Sequence, residues 1–367
     1  MGRLASHKWA ALGFLISVAY WPGMLSAAFV PRWAVIAAGI PLVSTLDPSR
    51  LPESVRWMMI WVLALAGISI ASSPDPLSGT FYLLEMIILC GAFLGAAGLD
   101  SLEDLVTGLG WGVSVSTVLC VAQYFGWSTG LIVENSSPSG LFFNREVLGE
   151  FAALIFVWSA LKGKWPLAVL SFAPVVLTQS RVAVLAIAVA LAYRFWPKNV
   201  GLRIMIPIVV GSIAVSSYVA LGPSKIISAA QRLVIWGATV MAMTPLGNGL
   251  GWFQAAHPVE QFAHSDVLQT AAELGIGSLA LLLIPFLALV RNKSDHVERA
   301  LFVAICVELL VSFPLHVPAS AFLIVVVAAY LVRVRSDVRG PVDVGRIADE
   351  DGFQWRGATD QPAFIGS

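Results

Sequence analysis

The sequence predicts an all-α, polytopic integral membrane protein with about twelve transmembrane helices. Of its 367 residues, 58% are hydrophobic and only 12% are charged, whereas a soluble domain carries about 25% charged residues. A soluble fold of this length could not hide so much apolar surface from water. The apolar residues also come in runs of roughly 15–25, the length of helix that crosses a bilayer core.

Twelve apolar runs predict the helices in order. They cover roughly residues 9–28, 31–46, 56–72, 80–98, 104–126, 146–161, 164–178, 181–196, 203–221, 266–290, 298–314 and 318–333. Gln179-Ser180-Arg181 separates the seventh run from the eighth, and the pair is compatible with one broken helix or with a tight hairpin. Basic residues precede the seventh run and follow the eighth, so both ends of the pair are expected on the cytoplasmic side, which favours the hairpin.

The distribution of basic residues predicts the orientation. With the N-terminus in the cytoplasm, 17 of the 22 lysines and arginines fall on the cytoplasmic side, as the positive-inside rule requires. Both termini are then cytoplasmic, and a large loop, residues 222–265, lies on the outer face between the ninth and tenth helices. Residues 1–338 form one membrane-embedded domain, and the polar tail 339–367 is expected to be disordered. The cytoplasmic turn Asp100–Asp104 weakens the pattern because it carries only acids.

Five basic residues fall on the outer side: Arg32, Arg145, Arg181, Lys225 and Arg232. Arg32 is interpreted as an interface anchor and Lys225 as a solvated loop residue. The other three lie at helix mouths or in an apolar stretch, where an unpartnered charge is costly. The planar guanidinium matches phosphate oxygens, so these three are predicted to bind a phosphate or pyrophosphate on an amphiphile. The alternative for each is a snorkelling or structurally paired side chain.

His264 ends the outer loop directly before the tenth helix, with Ser265 placed to cap that helix. Asp266, Gln269 and Glu273 follow at helical spacing, so they share one face, which is expected to point into the bundle or a wet cavity. A neutral imidazole suits a general base at neutral pH, which makes His264 the catalytic candidate. The alternative is a histidine that only caps a loop. His257 and His316 are weaker candidates.

Other features limit the chemistry. The stretch 226–243 predicts an amphipathic helix in the outer interface, with Trp236 at headgroup depth. We find no DxD pair on the outer face and no metal-ligand spacing, so we expect a mechanism without metal or other cofactor. The net charge of zero does not suggest nucleic acid as a partner.

Three segments in order carry a family resemblance. The first is Gly140-Leu-Phe-Phe-Asn144-Arg145-Glu-Val-Leu-Gly149, and the second is Leu177-Thr-Gln-Ser180-Arg181-Val-Ala-Val-Leu-Ala186. The third runs from Arg232-Leu-Val-Ile-Trp236 through the glycines of 245–253 to His264-Ser-Asp-Val-Leu268-Gln269-Thr-Ala-Ala-Glu273. Together they resemble the O-antigen ligase family, which includes O-antigen polymerases and protein O-oligosaccharyltransferases. Glu146 stands near the place of the family's usual second asparagine, and Ser265 replaces the asparagine that commonly follows the histidine.

The resemblance implies a multi-pass glycosyltransferase of the bacterial inner membrane with its active site facing the periplasm. Arg145, Arg181 and Arg232 would hold the pyrophosphate of an undecaprenyl-linked glycan donor, and His264 would position or deprotonate the acceptor hydroxyl. Supporting roles would fall to Asn144, Ser180, Trp236, Gln269 and Glu273. The transfer would invert the sugar carbon.

The acceptor is left open by the sequence. A ligase would use the lipid A-core, a polymerase another lipid-linked glycan repeat, and an oligosaccharyltransferase a protein Ser or Thr. The large-loop segment favours the ligase. The alternative from a different class is a flippase or transporter of lipid-linked sugars.

Overall fold

The computed structural model of the chain describes residues 2–22, 26–127, 132, 136–195, 223–257, 262–278 and 296–333. The predicted ninth helix (203–221), the predicted tenth helix beyond residue 278 and the tail 339–367 lie outside the described residues.

The described residues form thirteen α-helices. They are α1 (Gly2–Val18), α2 (Val30–Val43), α3 (Glu53–Ser69), α4 (Pro76–Ala96), α5 (Glu103–Tyr124), α6 (Arg145–Leu161), α7 (Trp165–Thr178), α8 (Arg181–Arg194), α9 (Pro223–Ala242), α10 (Trp252–Ala256), α11 (Asp266–Leu274), α12 (His296–Val311) and α13 (Pro318–Val332). These elements confirm the predicted all-helical class for this part of the chain.

Three helices are long and apolar enough to cross a membrane. They are Glu53–Ser72, which extends α3 by a 3-10 turn, together with Pro76–Ala96 and Glu103–Tyr124. Their length and composition are those expected of membrane spans. The molecule therefore has the character of a membrane protein, while the number of spans and their orientation stay predictions.

The first helix differs most from its predicted bounds. It extends from Gly2 to Val18, whereas the apolar run predicts a helix over 9–28. Pro22 explains the early end, because it lacks an N–H donor and disfavours helical geometry in Trp21. The Trp21 amide instead donates to the carbonyl of Ala27 across a loop, at 2.8 Å. The apolar run continues to about residue 28, beyond the end of α1 at Val18, so hydrophobicity alone could not predict where the helix ends.

The helix α6 lies at the centre of the bundle. It packs against α5, α7, α8 and α12, and Trp158 and Phe151 are among its fully buried side chains. The helices α7 and α8 both pack on α6 but make few contacts with each other, so they are splayed apart. Small residues allow close approach elsewhere, because Gly108 of α5 lies directly on the Ala10 carbonyl of α1 and leaves no room for a Cβ.

Two ion pairs join loops that the sequence assigns to the cytoplasmic side. Lys164 Nζ lies 2.8 Å from a Glu103 carboxylate oxygen, and Lys162 Nζ lies 3.0 Å from Glu298. The acidic turn Asp100–Asp104 thus obtains a basic partner from the loop between α6 and α7. The contact accounts for a turn that carries only acids in the sequence.

Candidate active site

Three helices begin with the same capping arrangement. At the start of α6, Asn144 Oδ1 accepts a hydrogen bond from the backbone amide of Glu146, two residues ahead, at 2.8 Å. Ser180 and Ser265 accept from backbone amides three residues ahead, at 3.3 and 3.4 Å, and begin α8 and α11. The predicted cap at Ser265 is confirmed, and Asn144 and Ser180 act as caps as well.

The residue before each cap has a left-handed backbone. Phe143, Gln179 and His264 have φ values of 67°, 55° and 53°, and they are the only non-glycine residues with positive φ in the described ranges. Such a conformation costs of order 1–3 kcal/mol and concentrates at functional sites. All three strained positions fall inside the three segments that carry the family resemblance.

Packing brings the three helix beginnings to one end of the bundle. Gly149 in α6 lies against Thr178 and Ser180, so the start of α8 abuts the second turn of α6. Ser312 connects α6 to α11, because its hydroxyl donates to Glu150 at 2.7 Å and its carbonyl accepts from the Asp266 amide at 3.0 Å. Helix N-termini expose backbone donors and the positive end of the helix dipole, so this end of the bundle favours an anion.

Arg232 lies at the same place. Its guanidinium is 3.5 Å from a Glu146 carboxylate oxygen and 3.4 Å from the Val311 carbonyl, and it is close enough to His264 to affect that ring electrostatically. The side chain remains 22% exposed. The structure therefore places Arg232 beside His264, as the functional hypothesis requires.

Arg145 and Arg181 are the first residues of α6 and α8. Their helix ends are brought together, but no described contact joins their guanidinium groups to Arg232. The Arg145 amide is bonded to the Ser136 hydroxyl at 3.1 Å, and within the described ranges its side chain makes no ion pair. Their part in an anion site stays a prediction.

His264 is held as a neutral imidazole. Burial, with a smaller contribution from the charge of Arg232, lowers the pKa of His264 to about 4. Its Nδ1 is buried, and no hydrogen-bond partner for it is found in the described part of the chain. Its ring meets Phe313 edge-on, with 5.4 Å between ring centroids. A neutral ring with a free nitrogen can accept a proton, and an anion bound nearby would raise its pKa.

Trp236 positions the residue before His264. Its indole Nε1 donates to the Ala263 carbonyl at 2.8 Å, while the Ala263 amide donates to Gln269 Oε1 at 3.2 Å. A partly buried indole N–H requires an acceptor, and the Ala263 carbonyl supplies it, while the depth of Trp236 in the membrane stays a prediction. The amide and the carbonyl of Ala263 are therefore both hydrogen-bonded, which orients the backbone of the next residue, His264.

Gln269 and Glu273 point into the bundle, as their spacing predicts, and both are almost fully buried. Glu273 Oε1 accepts from the Phe253 amide and from Gln269 Nε2, each at 3.3 Å. These bonds attach α10 to α11. Gln269 and Glu273 thus support the loop that carries His264.

The glycines Gly247, Gly249 and Gly251 all have positive φ, but they do not form a phosphate cradle. The Gly249 amide is already bonded to the Glu273 carbonyl at 3.0 Å. The turn packs on α11, where a side chain at Gly247 would meet the backbone of Glu273. Its glycines serve close backbone approach.

His316, a weaker candidate from the sequence, has the most hydrogen-bonded ring among the histidines of the described residues. Its Nδ1 lies 2.9 Å from Asp266 Oδ1, and Asp266 Oδ2 accepts from the Leu315 amide at 2.7 Å. Burial alone would lower the pKa of His316, but the hydrogen bond and charge of Asp266 outweigh it and raise the pKa. No sequence signal joins the two residues, since fifty positions separate them.

Arg32 is fully buried, which corrects its interpretation as an interface anchor. Its guanidinium donates to four backbone carbonyls, at 2.9–3.0 Å, those of Ile16, Ser17, Ala28 and Leu141. It also lies 4.2 Å from the centre of the Phe142 ring. Arg32 therefore fixes the segment that leads into Asn144 and α6.

No protein-family model matches this chain, and no curated protein is significantly similar to it. The residues described in the structure contain no group of three or more His, Cys, Asp or Glu side chains arranged to hold a metal ion.

Proposed function

We propose that this protein is an inner-membrane glycosyltransferase that moves a glycan from undecaprenyl pyrophosphate to an acceptor hydroxyl at the periplasmic face. The observation that supports it most is the convergence of three capped helix N-termini, each preceded by a strained residue, beside Arg232 and His264. Such a site is suited to an anion that carries a lipid tail.

The proposed reaction is a direct displacement. The acceptor oxygen attacks C1 of the sugar while the bond from C1 to the pyrophosphate oxygen breaks, and its electron pair goes to the pyrophosphate. Arg232, with Arg145 and Arg181, stabilises the negative charge that grows there; removing one such donor typically costs a few kcal/mol. His264 holds the acceptor hydroxyl or takes its proton. The sugar carbon is inverted, and no metal takes part.

The acceptor we favour is the lipid A-core, which makes the protein an O-antigen ligase. This preference comes from the resemblance of the loop segment that ends at His264. Polymerization onto a second lipid-linked glycan and transfer to a protein Ser or Thr are the alternatives. All three share the donor and the displacement.

One observation favours a second candidate, a flippase or transporter of lipid-linked sugars. Glu308 is fully buried in α12, and neither carboxylate oxygen has a hydrogen-bond partner in the described part of the chain. Glu150, also buried, lies close enough to interact with it electrostatically. Buried carboxylates inside a membrane often mark proton pathways of transporters.

A reconstituted assay distinguishes the two candidates. Purified protein is incubated with a lipid-linked donor and each class of acceptor, in the presence of a chelator. The transferase account expects a glycosylated product, lost in His264→Ala and in Arg181→Ala, with Glu308→Gln retaining turnover. Donor binding without product for every acceptor class, with donor movement across vesicles that Glu308→Gln abolishes, would establish the transporter instead.

A further inference from the structure

A cavity of about 230 Å³ lies among α3, α4, α11, α12 and α13. Asp266 and His316 line it where α11 begins and just before α13 begins. Phe93, Phe302 and Ala328 line it deeper in the bundle. Ala328 lies ten residues along α13, about 15 Å from its first turn at 1.5 Å per residue. The cavity is therefore long, polar at the end near His264 and apolar at the other.

The polar end offers hydrogen-bonding groups that match hydroxyls. Both oxygens of Asp266 are already occupied, by His316 and by the Leu315 amide. What remains toward the cavity includes the Tyr82 phenol, the Glu85 carboxylate and the Thr270 hydroxyl. The hydroxyl groups of a sugar both donate and accept hydrogen bonds, and these three side chains together can do both as well. A multivalent cation would need several free carboxylates.

A stacked aromatic pair connects His316, at this polar end, with His264. Phe262 and Phe313 lie face to face, with 4.6 Å between ring centroids and 8° between planes. Phe313 contacts His264 on one side, and Phe262 contacts His316 on the other, with centroids 5.0 Å apart. No lysine or arginine is among the described residues that line the cavity. The polar end of the cavity therefore offers hydrogen-bonding groups for hydroxyls without a cation to hold an anion.

We propose that this cavity binds a lipid whose headgroup is an uncharged sugar, with the sugar against Tyr82, Glu85 and His316 and the hydrocarbon chain along Phe93 and Ala328. This lipid site does not depend on the proposed function.

Photolabelling tests the proposal. The purified protein in lipid nanodiscs is exposed to an alkyl glycoside with a neutral sugar head and a photoreactive chain, or to an alkyl phosphate with the same chain. Peptides of α4 and α13 are then analysed by mass spectrometry. We expect the glycoside to label peptides that contain Phe93 and Ala328, in competition with unreactive glycoside, and the phosphate to label them at least about threefold less. Equal labelling by the two probes, or labelling without competition, would overturn the proposal.

Two variants and one control make the test specific. Glu85→Gln preserves shape and replaces the carboxyl group by an amide, so it should weaken glycoside labelling about threefold to tenfold, as for loss of one ordinary hydrogen bond. Ala328→Trp fills the apolar half and should abolish labelling there. Val118→Trp adds the same bulk at a 66% exposed position of α5 and should change nothing. Labelling that Glu85→Gln and Ala328→Trp both leave intact would contradict the site.

Arg232→Gln separates this proposal from the proposed function. It should weaken capture of a lipid pyrophosphate and leave glycoside labelling unchanged. If the protein does not bind the lipid pyrophosphate but the glycoside still labels the cavity, the transferase account fails and the lipid site stands. If the pyrophosphate binds at Arg232 but the glycoside does not label the cavity, only the neutral-lipid site is refuted.

Discussion

The Nδ1 atom of His316 lies 2.9 Å from Oδ1 of Asp266, which joins the turn before α13 to the first turn of α11. Asp266 is 1% exposed, and two further carboxylates, Glu85 and Glu273, act on His316 electrostatically. The helix that follows His264 is thus fixed at its first residue by a charged pair. The geometry of the proposed catalytic loop depends on this contact.

The stability of the protein should depend on pH through His316. Because its pKa is raised in the folded state, protonated His316 stabilises the fold fully below its unfolded pKa, and this contribution is lost as pH rises through the folded pKa. His316→Gln should therefore lower the free energy of unfolding more at about pH 5.5 than at about pH 9. Thermal unfolding at both pH values measures it. His257→Gln, whose ring stacks on Phe253, is the control. A cost for His316→Gln that is the same at both pH values would contradict the charged pair.

His264 should titrate far below an ordinary histidine. Burial and the charge of Arg232 lower its pKa to about 4, so the ring should remain neutral from neutral pH down to about pH 5. Arg232→Gln should raise this pKa only in part, because burial is the larger cause. NMR titration of labelled histidine measures the midpoint, with the His264 signal assigned by its loss in His264→Gln. A midpoint near 6.5 that Arg232→Gln does not move would show that the two side chains are apart.

Replacing Arg32 should destabilise the protein severely. Four carbonyls depend on its guanidinium, and each buried acceptor left without a donor costs about 1–3 kcal/mol. Arg32→Met should therefore cost about 3 kcal/mol or more, seen as a large fall in the unfolding midpoint. Arg50→Met is the matched control, because Arg50 pairs with Asp47 while about half exposed, and such pairs contribute about 0–1 kcal/mol. Similar midpoints for the two variants would refute the structural role of Arg32.

Trp236→Phe should impair turnover through the position of His264. The variant keeps the ring and loses the hydrogen bond to the Ala263 carbonyl, at a cost of about 1 kcal/mol in stability. We expect kcat to fall more than KM changes, since the catalytic loop moves while the arginines remain. Trp57→Phe, which loses a comparable contact to Glu53 at 3.3 Å, should retain activity. A rise in KM alone would point to a role in donor binding.

The local features of the site were predictable from sequence. Asn144, Ser180 and Ser265 are capping residues directly before apolar runs, and α6, α8 and α11 begin where those residues predict. Helical spacing also identified the buried face with Gln269 and Glu273. Capping and periodicity depend on residues within one or two turns, so a sequence displays them.

The contacts between distant segments were not predictable. Arg232 with Glu146, His316 with Asp266, and Arg32 with Leu141 are separated by 86, 50 and 109 positions, and each depends on how whole helices pack. The positive φ of Phe143 and Gln179 was also hidden, because bulky residues rarely adopt this conformation. The positive φ at these two residues depends on tertiary packing, whereas their local conformational preference is for negative φ.

The account is tested most directly by the affinity of the protein for a lipid pyrophosphate, compared with the same lipid bearing an uncharged head, in wild type and in Arg232→Gln. Convergent helix N-termini and Arg232 predict that wild type prefers the pyrophosphate at least about tenfold, and that Arg232→Gln loses most of this preference. Equal affinity of wild type for the charged and uncharged lipids would contradict the account.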